Sequence, residues 1–177
     1  MNVLSNVITA IVALLAVLIG GWLSTRSQDR TWHRDHAQKW RDVRLSAYEE
    51  FLSAYRGLLA YALDPGSNIT AVPHPTYKGD MMPYFDENGR PYREKLEAAR
   101  MKVFLVTESP EVIDTSRFLM RRVRNLAGLR AEYKPGQIPE KAFQDLFDSH
   151  NAFTAAARNE LGLIAIPNLN RSGPGGA

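Results

Sequence analysis

Residues 3–23 read VLSNVITAIVALLAVLIGGWL and contain no charged side chain. A helix of this length would be about 31 Å long, enough to cross the hydrocarbon core of a bilayer. Inside lipid every backbone N–H and C=O must be paired within the segment, so an isolated span has to be helical. Trp22, at the end of the run, is typical of an indole ring lying at the headgroup level. The sequence therefore predicts a transmembrane anchor over residues 1–23.

Two alternatives fit this run less well. A cleaved signal peptide begins with positive residues and ends at a small-residue cleavage site. Here no Lys or Arg precedes the apolar run, and Gly20-Gly21-Trp22-Leu23 is a poor cleavage site. A buried helix of a soluble core would normally carry at least one charge over this length. We therefore interpret the run as an uncleaved anchor.

The basic residues lie on one side of the predicted span. None precedes it, and six follow within about twenty residues: Arg26, Arg30, Arg34, Lys39, Arg41 and Arg44. The positive-inside rule then puts the N-terminus outside and the C-terminal domain in the cytoplasm, in the inner (plasma) membrane of the cell. We expect Trp22, Arg26, Arg30 and Arg34 to lie at the membrane interface.

The position of the basic excess indicates which partners are favoured. The formal net charge is +3, and residues 24–44 hold six basic and three acidic residues, so the rest of the chain is balanced. This placement suits anionic lipid headgroups, whereas a nucleic-acid-binding domain would carry a basic face of its own. The absence of cysteine excludes disulfides, thiolate zinc sites and a cysteine nucleophile.

A long helix is predicted to continue from the anchor. Residues 24–44 carry charges of alternating sign and are predicted to form a stalk. Two adjacent apolar rows, the second of which begins at Trp40 near the end of the stalk, continue as far as Leu63. The first row is Leu45, Tyr48, Leu52, Tyr55, Leu59 and Leu63, and the second is Trp40, Val43, Ala47, Phe51, Ala54, Leu58 and Ala62. Two rows make the broad apolar face that a helix in a bundle needs, and Asp64-Pro65-Gly66 ends the helix.

Residues 64–90 are predicted to be a long loop because prolines interrupt them repeatedly. The apolar content of this loop includes Tyr77, Met81, Met82, Tyr84 and Phe85. Either the loop lies back over the bundle, or these residues bind a partner.

Three more helices are predicted. They begin at Arg90-Pro91, at Ser109-Pro110 and at Pro139, and Gly162 follows the last as a C′ residue. The fold class is therefore all-α: an antiparallel bundle of about four helices over residues 45–166, with a disordered tail over 167–177. Leu163–Ile166 is the one run in which a strand is considered.

Catalytic and cofactor motifs are missing from the sequence. It contains no P-loop, no dinucleotide fingerprint and no G-x-S-x-G. His33, His36 and Asp29 have helical spacing, but a metal site needs further ligands, and we interpret them as solvated. We therefore predict no enzyme activity, no cofactor and no metal. Arg117, Arg121 and Arg124 share one helix face, which is either solvated or a surface for phospholipid or an acidic partner.

The chain resembles a loose group of small single-pass membrane proteins of actinobacteria and their phages. The resemblance rests on the apolar span and charged stalk, followed by RLSAYEEFL at Arg44–Leu52 and FTAAARNELG at Phe153–Gly162. It implies the architecture and the cell type, and it transfers no catalytic residue. Some small membrane proteins of such phages exclude competing phages.

The leading functional hypothesis is a membrane-anchored helical interaction module, phage-encoded or host-encoded, that acts on a host membrane or envelope-associated protein. The alternative is a lysis-associated, spanin-like envelope protein whose helical domain lies outside. The expected partners are a bilayer with anionic headgroups and a protein, not nucleic acid. A homo-oligomer is left open, because one apolar row could pack on a second copy.

Overall fold

The computed structural model describes residue 36 and residues 38–163. This part of the chain contains four α-helices, one β-hairpin and a 3-10 turn at Pro135–Gln137. The helices are α1 (residues 38–63), α2 (Arg90–Val106), α3 (Pro110–Leu129) and α4 (Glu140–Glu160), and the hairpin strands are β1 (Ile69–Pro73) and β2 (Met81–Phe85). The chain divides into two compact units between Asp42 and Val43.

The mostly helical architecture with four helices is confirmed, and it departs from the predicted all-α class in one place, because the predicted loop at residues 64–90 contains a β-hairpin. β1 and β2 pair antiparallel, with Ile69 opposite Phe85 and Pro73 opposite Met81. Each strand has only five residues and contains a proline, which cannot donate to a ladder and argues against a strand. The prolines are tolerated because each strand of a two-stranded sheet has an unpaired edge.

The helix ends follow the predicted local chemistry. α2 begins with a proline in its first turn. The Ser109 hydroxyl accepts a hydrogen bond from the Val112 N–H and caps α3. Gly162 follows α4 with a φ of 66°, a left-handed conformation that favours glycine.

The core lies between α1, α3 and α4, with α2 contributing Leu96, Ala99 and Val103. From Ala47 onward both predicted rows of α1 supply it; the buried members are Ala47, Tyr48, Phe51, Ala54, Tyr55, Leu58 and Ala62. Phe51 meets Phe153 of α4 edge-on, with ring centroids 5.0 Å apart. Trp40 and Val43, at the start of the second row, are both 42% exposed.

No helix in the described part is long and apolar enough to cross a membrane. The predicted span at 3–23, the interface residues Trp22, Arg26, Arg30 and Arg34, and the tail at 167–177 lie outside the described residues. Arg44, counted with the stalk on sequence, belongs to the second compact unit. Its Nε donates a hydrogen bond to the Val106 carbonyl (2.9 Å), at the C-terminal end of α2.

Candidate partner-binding cleft

A cleft of about 280 Å³ lies between β2, α2 and α3. It brings together two groups that the sequence proposed separately: the apolar residues of 64–90 and the arginines of α3. Six of the eight proposed partner-binding residues line it, namely Met81, Met82, Tyr84, Phe85, Arg121 and Arg124. Its other lining residues are His74, Asp80, Pro83, Arg93 and Glu97.

The apolar wall of the cleft is β2. All five residues of this strand line the cleft, and Tyr84 is 50% exposed while Met82 and Phe85 are half-buried. The strand is held on α3 by the Met81 N–H, which donates to the Asn125 Oδ1 (2.8 Å). The apolar side chains are therefore presented to the cleft by a strand whose position is set by α3.

The hairpin tip is attached to α3 through Arg121. Its guanidinium donates to the buried Asp80 carboxylate. The Tyr77 ring lies over the same guanidinium, with the Arg121 Cζ 4.0 Å from the ring centroid. The Asp80 hydrogen bond raises the pKa of Arg121, so this arginine is a fixed cation beneath the tip. Tyr77, the seventh proposed residue, thus does not line the cleft but contacts Arg121, which does.

The tip itself is closed by His74. Its Nδ1 accepts hydrogen bonds from the backbone N–H groups of Thr76 (3.1 Å) and Tyr77 (3.2 Å). The His74 backbone N–H donates to the Asp80 carbonyl (2.8 Å), and the imidazole ring lies 4.7 Å from the ring of Tyr77. The Nδ1 atom must be unprotonated to accept these bonds, so His74 has a structural role in the tip.

On the opposite side, two arginines converge on one carboxylate. Arg124 of α3 donates to the Glu97 Oε1, and the Arg93 Nε lies 3.8 Å from the same oxygen, too far for a hydrogen bond. The Arg93 Nε is buried and has no hydrogen-bond partner in the described structure. The residues that line the cleft thus include three arginines but only two carboxylates, Asp80 and Glu97.

Arg100, two turns further along α2 than Arg93, does not line the cleft. Its Nε is also buried without a hydrogen-bond partner among the described residues. Burial lowers the pKa of Arg100, and the positive charges of Arg117 and Arg124 lower it further. Arg117, the eighth proposed residue, does not line the cleft and pairs with Asp114 on its own helix (3.1 Å).

A second polar cluster lies at the other end of α2 and is structural. The Glu160 carboxylate accepts hydrogen bonds from the hydroxyls of Tyr48 and Thr107 and from the Glu108 N–H, and the Arg44 Nε lies 3.7 Å from its Oε1. It thereby joins α1, the α2–α3 connection and α4. Burial alone would raise the pKa of Glu160, but these hydrogen bonds and Arg44 lower it on balance.

Metal ligands do not cluster in the described part of the chain, where no group of three His, Cys, Asp or Glu residues has suitable spacing. His33 and Asp29 lie outside the described residues. His36 accepts a hydrogen bond on its Nε2 from the Trp40 indole (3.0 Å).

Sequence reasoning missed Arg93, Glu97, Asp80 and the role of His74. Arg93 and Glu97 have i, i+4 spacing, which marks a helix-surface pair but says nothing about a cleft. Comparison with protein-family models, curated proteins and solved structures gives no match for this chain.

Proposed function

We propose that this chain is an interaction module that binds a protein partner in the cleft between β2, α2 and α3. The observation that carries the proposal is the meeting of an apolar strand, whose Tyr84 is 50% exposed, and an excess of arginines in one cavity of about 280 Å³. Apolar surface with a few well-placed polar groups is typical of recognition sites. The methionines Met81 and Met82 suit such a site because their flexible side chains adapt to a bound surface.

The module is tethered to the membrane by residues 3–23, with the cleft on the cytoplasmic side. This part of the proposal is supported by the uncharged run and by the arginines that follow it. The partner is a host membrane or envelope-associated protein, in line with the resemblance to actinobacterial and phage membrane proteins. Tethering confines both proteins to one surface, so that a weak interface suffices.

Binding rather than catalysis is favoured by the side chains in the cleft. His74 is the one histidine that lines it, and its Nδ1 is already occupied by two backbone N–H groups. The carboxylates of Asp80 and Glu97 are both engaged by arginines. No nucleophile and base lie side by side among these lining residues.

Photocrosslinking from inside the cleft tests the proposal. A benzoylphenylalanine replaces Tyr84, which is 50% exposed in the cleft, or Phe147, which is 44% exposed on α4 and does not line the cleft. The full chain is expressed in an actinobacterial host and irradiated in intact cells. We expect a discrete adduct from position 84 that is absent from position 147. Equal adducts from both positions, or none from position 84, would contradict a binding role for the cleft.

A further inference from the structure

We propose that the cleft recognises a carboxylate-bearing apolar peptide segment, and that Glu97 occupies the carboxylate position in the unbound protein. The inference rests on the proposed function and specifies the chemistry of the partner. It commits to a peptide of a protein partner; a lipid headgroup is one of the outcomes that the experiment tests.

The first support is the arrangement around Glu97. Arg124 and Arg93 approach the same Oε1 from two different helices, and only Arg124 is within hydrogen-bond distance. The Arg93 Nε is left buried without a hydrogen bond. The guanidinium group of an arginine can bind a carboxylate with two parallel hydrogen bonds. A carboxylate of the ligand can therefore supply the hydrogen bond to Arg93 that Glu97 does not make. The Glu97 side chain is 43% exposed and can leave toward solvent.

The second support is charge complementarity. Arg93, Arg121 and Arg124 outnumber the two carboxylates that line the cleft. Two arginines on facing helices repel each other unless an anion lies between them. A ligand that displaces Glu97 must therefore bring its own carboxylate to keep an anion between Arg93 and Arg124.

The backbone of β2 limits how a peptide is held. Alternate residues of a strand direct their backbone groups to the same edge, so Met81, Pro83 and Phe85 share one edge of β2. This is the edge away from β1, because the Met81 N–H bonds to Asn125. The Met81 N–H is bonded to Asn125 instead of β1, and Pro83 has no N–H. Strand addition at this edge is therefore disfavoured, and recognition relies on side chains.

The shape of the cleft favours a peptide over a flat bilayer surface. Met82 and Phe85 are half-buried, and both line the cleft between β2, α2 and α3. A segment with an aliphatic or aromatic residue beside an Asp or Glu can contact β2 and the arginines of α2 and α3 at the same time. The peptide's apolar side chain packs against β2, and its carboxylate lies between Arg93 and Arg124.

A selection from random peptides tests this chemistry before the partner is identified. The full chain, in phosphatidylcholine nanodiscs, is panned against displayed random heptapeptides. The double variant Arg93→Gln/Arg124→Gln is panned in parallel, and Lys141→Gln on α4 is the matched control. Unchanged melting temperatures show that the variants are folded, and Arg124→Lys serves as a milder second variant that keeps the charge but loses the fork.

We expect the wild type and Lys141→Gln to enrich peptides with Asp or Glu beside an apolar residue. The double variant keeps the apolar preference and loses the acidic one. Fluorescence anisotropy then measures one selected peptide and its Glu→Gln or Asp→Asn form. We expect the neutral form to bind about tenfold more weakly, a preference that falls with salt. Glu97→Gln should strengthen binding of the acidic peptide.

The contrary outcomes separate the two proposals. Apolar peptides without acidic enrichment, or acidic enrichment that survives in the double variant, overturn this inference and leave a binding role for the cleft intact. No enrichment at all, together with no adduct from position 84, overturns both. Phosphatidylglycerol vesicles that bind the full chain through Arg93 and Arg124, and that displace the selected peptides, show a lipid ligand and overturn the peptide assignment.

Discussion

Met81 of β2 packs directly over Gly128 of α3: a β-carbon added to the glycine would lie 2.5 Å from the Met81 Cβ. Real β-carbons essentially never approach this closely, so the hairpin can lie on α3 only where the helix has no side chain. This contact fixes how closely β2, the apolar wall of the cleft, approaches α3 and its arginines.

Gly128→Ala should destabilise the protein by about 1–2 kcal/mol, because overpacking outweighs the gain in helix propensity. Gly136→Ala is the matched control, since a β-carbon there meets nothing within 4 Å, and we expect a change within about 0.5 kcal/mol. Chemical denaturation of the full chain in micelles measures both. Equal stability of the two variants would show that the hairpin shifts on α3 without cost.

Asp80→Ala should cost about 2 kcal/mol, because it leaves the Arg121 guanidinium partly buried without its partner. Hydrogen exchange should accelerate at the His74 amide, which donates to the Asp80 carbonyl at the hairpin tip. Asp114→Ala breaks a more exposed pair with Arg117 and should change stability by less than about 0.5 kcal/mol. Unchanged exchange at His74 would contradict the role given to Arg121.

The helices could be predicted from the sequence because local chemistry determines their ends. The hairpin could not, because it depends on tertiary contacts. The Ser109 cap and the left-handed Gly162 depend on neighbours a few residues away, so the sequence alone indicates them. β1 and β2 depend instead on packing against α3, and Pro73 and Pro83 argue locally against strands.

The same distinction explains the candidate site. Residue type and spacing indicated Phe85, Met82 and Arg124, but not that they would face one another. Arg93 and Glu97 were not indicated, because their role depends on where α2 crosses the hairpin. The function of the cleft stays a prediction.

Stability in acid should depend on Glu160, whose pKa is lowered in the folded protein. The unfolded chain binds this proton more readily than the folded one, so the contribution of Glu160 is complete above the ordinary glutamate pKa of about 4.3. It is lost as pH falls through the lower, folded value. Glu160→Gln should therefore be less stable at neutral pH and lose less stability between about pH 5 and pH 3.

Denaturant midpoints across this pH range measure the effect, with Glu132→Gln at an exposed position as the control. Parallel pH profiles for the wild type and Glu160→Gln would be inconsistent with a lowered pKa of Glu160.

The orientation of the chain can be tested with a C-terminal reporter that is active only outside the cytoplasm. Six basic residues follow the predicted span and none precedes it, so we expect no reporter activity. A cytoplasmic reporter at the same position should be active. The reverse pattern would favour the spanin-like alternative, with the helical domain outside.

Self-association through α1 is restricted by what the bundle already buries. From Ala47 to Ala62 both apolar rows supply the core of the bundle, so the members most accessible to a second copy are Trp40, Val43 and Leu45, each 42% exposed. We expect Val43→Glu to change stability by less than about 0.5 kcal/mol, whereas Phe51→Ala should cost about 3–5 kcal/mol because Phe51 is fully buried.

The absence of cysteine allows a direct test of contact between copies in the membrane. We expect a single cysteine at Val43 to form no more intermolecular disulfide than one at Phe147, an exposed position on α4. A disulfide specific to position 43 that Trp40→Glu abolishes, with the melting temperature unchanged, would establish a homo-oligomer. Because Phe51→Ala acts on the core of a single copy, it should lower the melting temperature whether or not that disulfide forms.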